Sequence, residues 1–249
     1  MSSVPQATVT IAGGPPVTRE NLPRTIARLA LPAVGENLLT TMVFLVDTLL
    51  VGWLKDPAAL AAVSLGGMFL NIANQLFTAV SVAATAMVAH AWGAREQERA
   101  RRIAAHGILV GVIFAALAIL AMWPSAGSLL TLMGASERAT FLGSQYMRII
   151  LLTSLLGFPM VVLNGIMRGS GDTRTPMLIT LAMNLWNVVV SIVLTVGLGL
   201  VPALGLGGAA WGTASARLLG GAIALYRVMS GKRFLRLRWR DILQPDRAT

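Results

Sequence analysis

Six apolar stretches divide this chain, at about 25–54, 59–91, 103–123, 141–167, 177–200 and 209–229. Each is long enough to cross the roughly 30 Å of hydrocarbon in a bilayer. Backbone in hydrocarbon has no water to bond, so it crosses as helix or as closed barrel. Continuous apolar runs of this length, without strand alternation, are helical. The expected fold is therefore all-α: a polytopic membrane protein with six transmembrane helices. Only 12% of the 249 residues are charged, against about 25% in a soluble domain. Mean hydropathy is +0.72. The polar residues 1–24 read as a disordered tail, 25–229 as the helical unit, and 230–249 as a basic tail.

The formal net charge is +10, and its distribution matters more than its size. Arg19 and Arg24 precede the first span and Arg28 lies in its first turn. Arg95, Arg99, Arg101 and Arg102 follow the second, Arg168 and Arg174 follow the fourth, and Lys232, Arg233, Arg236, Arg238 and Arg240 follow the sixth. With six crossings, these four segments share one side. Lys55, Arg138 and Arg148 are left for the other. The positive-inside rule puts both termini in the cytoplasm. It also accounts for the basic charge without nucleic acid. Cysteine is absent, which excludes disulfides, Cys-ligated zinc and iron–sulfur clusters. His90 and His106 are too few for a metal site. No nucleophile–base pair and no acid dyad on separate spans is present, so the chain does not read as an enzyme.

The first span carries two carboxylates, Glu36 and Asp47. Eleven residues apart, or three helical turns, they share a face. An acid group in hydrocarbon costs about 3 kcal/mol or more and usually faces a cavity or an ion path. Pro32 on the same helix is the expected bend. Asp47 is the leading candidate for a proton-handling group. Glu36 lies nearer the cytoplasmic end, where solvation or a capping role is the competing reading. Arg217, deep in the sixth span, needs an anionic partner, and Glu36 and Asp47 are the only acids within the spans. It is expected to face the inner bundle near one of them. Asn184, Asn187 and Ser191 share a face of the fifth span, either bridging helices or lining a cavity. Asn71, Asn74 and Gln75 on the second span read as bridges between helices. Thr213 is uninformative alone. Pro124 is expected to end the third span, with a surface-lying amphipathic piece after it. In R-G-S-G-D-T-R-T-P, Gly169 and Gly171 are expected to end a helix, with Thr175 capping the next and Pro176 at its first position.

Five strings in order resemble the multidrug and toxic compound extrusion (MATE) transporters: L-A-L-P with V-D-T-L-L-V-G, A-W-G-A-R, L-M-G-A-S, R-G-S-G-D-T-R-T-P-M and G-G-A-A-W-G-T. The resemblance covers about 29–243. It implies an antiporter in the bacterial cytoplasmic (inner) membrane that exports cationic amphipathic compounds in exchange for protons or sodium. It implies two six-helix lobes around a central cavity; this chain matches the amino-terminal one. A second lobe, from another copy or a separate chain, is the expected partner, besides the organic substrate and membrane lipid. In one branch the coupling residues match Asp47, Asn187 and Thr213, and the bending proline matches Pro32. Ser191 stands where that branch has a second aspartate. With one carboxylate and Arg217 nearby, the resemblance favours H+ over Na+, with no further cofactor. The alternatives are a lipid or lipid-linked oligosaccharide flippase of the same superfamily, and a half-lobe that does not transport.

Overall fold

The computed structural model describes residues 22–198 and 202–230, and every regular element among them is helical. The order is α1 (Leu22–Trp53), α2 (Pro57–Gly93), α3 (Gln97–Leu132), α4 (Glu137–Gly169), α5 (Arg174–Ile192) with a π-helical turn at Val193–Gly197, and α6 (Leu206–Ser230). Five helices are long and apolar enough to cross a membrane. The sixth, α6, has 25 residues, about 37 Å at 1.5 Å per residue, but many small residues and Arg217 lower its hydropathy. Helix α1 begins three residues before the expected boundary. Of the two tails assigned from sequence, 1–24 and 230–249, residues 1–21 and 231–249 lie outside the described residues, whereas 22–24 and Ser230 are helical.

The helices overrun the apolar stretches because polar residues cap them beyond the hydrocarbon. Asp56 accepts from the Ala58 N–H at 3.0 Å and starts α2. Ser136 accepts from the Ala139 N–H and starts α4. Between α4 and α5 the cap differs from the expected one. Asp172 accepts from the backbone of Arg174 and Thr175, at 3.2 and 3.0 Å, and from the Thr175 hydroxyl. A carboxylate reaches two orphan N–H groups where a threonine reaches one. Gly171, at φ 90°, supplies the left-handed turn, whereas Gly169 remains helical. Nor does Pro124 end α3. The helix continues to Leu132, and Ala126 and Leu130 are fully buried. The expected surface piece is thus the last two turns of α3, drawn inward by those two side chains.

Helix α4 is the centre of the bundle, packed against α2, α3 and α6. Its close approach to α2 depends on Gly165, where a Cβ would stand 2.7 Å from both the Ser81 carbonyl oxygen and the Thr85 hydroxyl. Two apolar clusters fill the bundle. One joins α2, α3, α4 and α6 around Val88, Val162 and Ile166; the other gathers Val51, Leu130, Met147 and Leu151. Helix α1 is peripheral. It packs mainly on α5 and leaves Leu31, Val34, Leu38, Met42 and Leu45 exposed.

Candidate functional site

Among the described residues, three polar contacts tie α1 to the bundle. Deepest in the helix pattern is Asp47, buried at 7% exposure. The Thr213 hydroxyl of α6 donates to Asp47 Oδ2 at 2.8 Å. Asn187 Nδ2 of α5 donates to Thr213 Oγ1 at 3.1 Å and to Ser191 Oγ at 3.3 Å. The chain of bonds Asn187–Thr213–Asp47 runs across three helices. Three oxygens here are buried without a hydrogen-bond partner among the described residues: Asp47 Oδ1, Asn187 Oδ1 and Thr195 Oγ1. Buried acceptors are rarely left in that condition, so the cluster has spare capacity for a proton or a small cation. Thr195 sits in the π-helical turn after α5, one turn beyond Ser191. Such turns are frequent at functional sites.

Arg217 lies within electrostatic reach of Asp47 and of the buried Tyr146 phenol of α4. It faces the bundle, with its stem against Gly157. It forms no ion pair among the described residues. The relation to Asp47 is therefore one of field rather than contact.

The second contact involves Glu36, also buried. Its partner is Arg168 of α4, whose Nη1 lies 2.8 Å from both carboxylate oxygens, and Asn164 Nδ2 adds a bond of 3.4 Å. This replaces the solvated or capping role expected for Glu36. Charge sorting along the sequence puts Arg168 with the loop cations and singles out neither Asn164 nor Tyr146. The available signal was spacing: Asn164 and Arg168 are four residues apart on α4 and so share a face. The third contact is Asn184, whose Nδ2 donates to the Leu39 carbonyl at 2.6 Å. Asn184 bridges α1 to α5. Pro32 lies inside continuous helix; lacking an N–H, it leaves the Arg28 carbonyl without its intrahelical donor.

The bridging role expected for Asn71, Asn74 and Gln75 fails within this bundle. Asn71 and Gln75 are exposed, Asn74 is half-buried, and among the described residues none bonds another helix through its side chain. The buried stripe of α2 falls on Leu70, Ala73 and Phe77 instead, because apolar side chains take the seam facing α4.

The fold and this cluster define a polytopic helical membrane protein that holds an ionisable group inside its bundle. The family model MatE matches residues 32–193, and the chain belongs to that family. It is 29% identical over 210 residues to the "Probable multidrug resistance protein NorM" of Thermotoga maritima, covering 84% of this chain and 45% of the relative. A structure of a MATE protein in complex with MaD5 superposes with a TM-score of 0.82 at 28% identity, over 90% of this chain and 50% of that one. An outward-facing multidrug resistance MATE transporter of the MOP superfamily gives 0.78 at 28% identity, over 90% and 49%. The chain spans about half the length of the proteins it matches.

Proposed function

We propose that this chain is one lobe of a secondary antiporter that exports cationic amphipathic organic compounds in exchange for protons. The carrying observation is Asp47: buried, fixed through Oδ2 by Thr213, and left with an unpartnered Oδ1. That oxygen is where a proton adds. The neutralised group costs less to bury and no longer attracts a cationic substrate. Loss of the proton on the cytoplasmic side restores the carboxylate and the preference for substrate. Exchange follows if proton and substrate favour different arrangements of α1, each shifting the balance only by that preference. Pro32 is the point where α1 yields.

Protons suit this site better than sodium. A proton needs one lone pair, whereas a bare metal ion needs several oxygens. The cluster offers one carboxylate, one amide oxygen and hydroxyls, with Ser191 in place of a second acid and Arg217 adding positive potential. Both termini lie in the cytoplasm, the membrane is the bacterial cytoplasmic one, and a second lobe closes the cavity. The test is efflux of a cationic dye by Asp47→Asn in its native membrane. The expected result is loss of proton-driven efflux; undiminished efflux overturns the assignment.

One observation favours a second reading, a flippase for an anionic lipid: Arg217 is a cation inside the bundle without an ion-pair partner among the described residues. Arg148, the other candidate, bonds the Trp123 carbonyl at 3.4 Å. Arg217→Met separates the two, since it abolishes headgroup transport on the flippase reading but spares dye efflux on the first.

A further inference from the structure

Helix α1 yields most easily in one stretch. Pro32 lies inside the helix and breaks its hydrogen-bond ladder there. Two turns further on, the Thr40 and Thr41 hydroxyls return to the Glu36 and Asn37 carbonyls at 2.9 and 3.0 Å. Such back-bonding bends helices. The yielding stretch is therefore 32–41, and Glu36 lies inside it. There Glu36 meets α4, through Arg168 at 2.8 Å and through Asn164, one turn earlier, at 3.4 Å. The spanning part of α4 is more deeply buried than that of α1, α2, α3 or α5, so the contact is mounted on the part of the bundle least free to move. Close by, Gly35 lets α1 lie against α5: a Cβ there would stand 3.3 Å from Met177 Sδ.

Distance from the bend decides what each contact can do. At 1.5 Å per residue, Glu36 is about 6 Å along the helix from Pro32, and Asp47 about 22 Å. A kink of about 20° displaces the first by about 2 Å and the second by about 8 Å. The 2.8 Å bond from Thr213 to Asp47 does not survive the larger shift. The Arg168 side chain is long and 30% exposed, and follows the smaller shift by changing rotamer. We propose that Glu36, Arg168 and Asn164 act as a fulcrum: positioning residues that hold the base of α1 on α4 while its outer part, with Asp47, swings. The inference rests on the transport reading above. A fulcrum stays closed through the cycle, unlike a gate. Burial favours that: opening the pair strands a carboxylate that is 10% exposed, and an uncompensated buried charge is strongly unfavourable.

The chain has no cysteine, so spin labels can be placed at chosen pairs. Leu49→Cys with Phe141→Cys reads the outer part of α1 against α4. Val34→Cys with Gln97→Cys reads its base against α3. All four side chains are exposed. Distances are measured by electron paramagnetic resonance in lipid nanodiscs, with and without tetraphenylphosphonium. The cation is expected to shift the outer pair by about 8 Å and the inner pair by no more than about 2 Å. Equal shifts in both pairs overturn the fulcrum, since the base then moves with the rest. Glu36→Gln is expected to broaden the inner distance and to lower the maximal rate of dye efflux about tenfold, with the half-saturating dye concentration unchanged. Glu36→Gln with Arg168→Met removes the stranded cation without restoring the contact, so it is expected to recover stability but not efflux. Undiminished efflux in that double variant, or an inner distance as sharp as the parent's, overturns the proposal. If neither pair responds to the cation, the transport reading fails. The inner distances of the variants still show whether the ion pair holds the base of α1, so the two failures are distinct.

Discussion

Gly212→Ala tests how the Asp47 cluster is assembled. Gly212 immediately precedes Thr213 on α6 and faces Ser191 on α5. A Cβ placed there would stand 2.8 Å from both the Cα and the Cβ of Ser191, and closer still to its hydroxyl oxygen. The hydroxyl can rotate away; the Cα cannot. Carbon atoms rest about 3.5–4.0 Å apart, so α5 and α6 must separate by about 1 Å. The same shift, applied to the 2.8 Å bond from Thr213 to Asp47, takes it past the reach of a good hydrogen bond, which ends near ~3.0 Å for O–H donors. Overpacking costs about 1–3 kcal/mol, and a bond to a charged acceptor is worth about 1.5–3 kcal/mol more. A total of about 2.5–6 kcal/mol lowers the melting temperature of a chain this size by about 5–24 °C. The assay is thermal unfolding of the purified protein in detergent, alongside dye efflux. Gly207→Ala is the control, because no atom lies within 4 Å of its added Cβ. Adding Ser191→Gly to Gly212→Ala removes two of the three clashing atoms and is expected to recover part of the loss. If Gly212→Ala melts within about 2 °C of Gly207→Ala, the close approach of α5 and α6 does not position Thr213, and the reasoning fails.

Glu36→Gln leaves Arg168 beside a neutral amide and is expected to cost about 1–3 kcal/mol, less than for a fully buried pair because the Arg168 side chain is 30% exposed. Adding Arg168→Met should return much of that; strictly additive losses in unfolding would show that the pair is not coupled. Asp47→Asn keeps an acceptor for Thr213 while removing the cost of a buried charge, so it should melt no lower than the parent even as efflux is lost, and a large drop in melting temperature would reassign Asp47 to structure. Asp172→Ala removes the cap of α5 at a cost of about 0.5–2 kcal/mol, read as faster amide exchange at Arg174 and Thr175; unchanged exchange there would refute the cap.

The helices were legible because apolar length is a local property of sequence. Their ends were less so. Pro124 looks like a stop, yet Ala126 and Leu130 find buried places and carry α3 onward. At the α4–α5 turn, threonine and proline matched a familiar cap, but the neighbouring aspartate competes better for the same N–H groups. Asp47 stood out because a lone acid in an apolar run has few explanations. That Asn187 and Thr213 join it is visible only once α5 and α6 pack, though the family resemblance had matched all three. Glu36 was given no cation, because only Arg217 sat deep in a span. Arg168 lay at the edge, and a long arginine at a helix end reaches inward as readily as outward. The α2 amides show the remaining difficulty: periodicity says which residues share a face, but not which of three neighbours that face meets.

The contacts that hold α1 have a consequence for biosynthesis. Glu36 meets its cation 132 residues later, and Asp47 its hydroxyl donor 166 residues later. At about 5–20 residues per second, the first helix waits roughly 8–33 s after emerging before α6 exists to receive it. Through that interval Asp47 lacks the hydroxyl that holds it in the bundle, while Glu36 gains Arg168 once α4 is made. Helix α6 is thus the one that completes α1, and a ribosome that stalls before Thr213 leaves Asp47 without its donor.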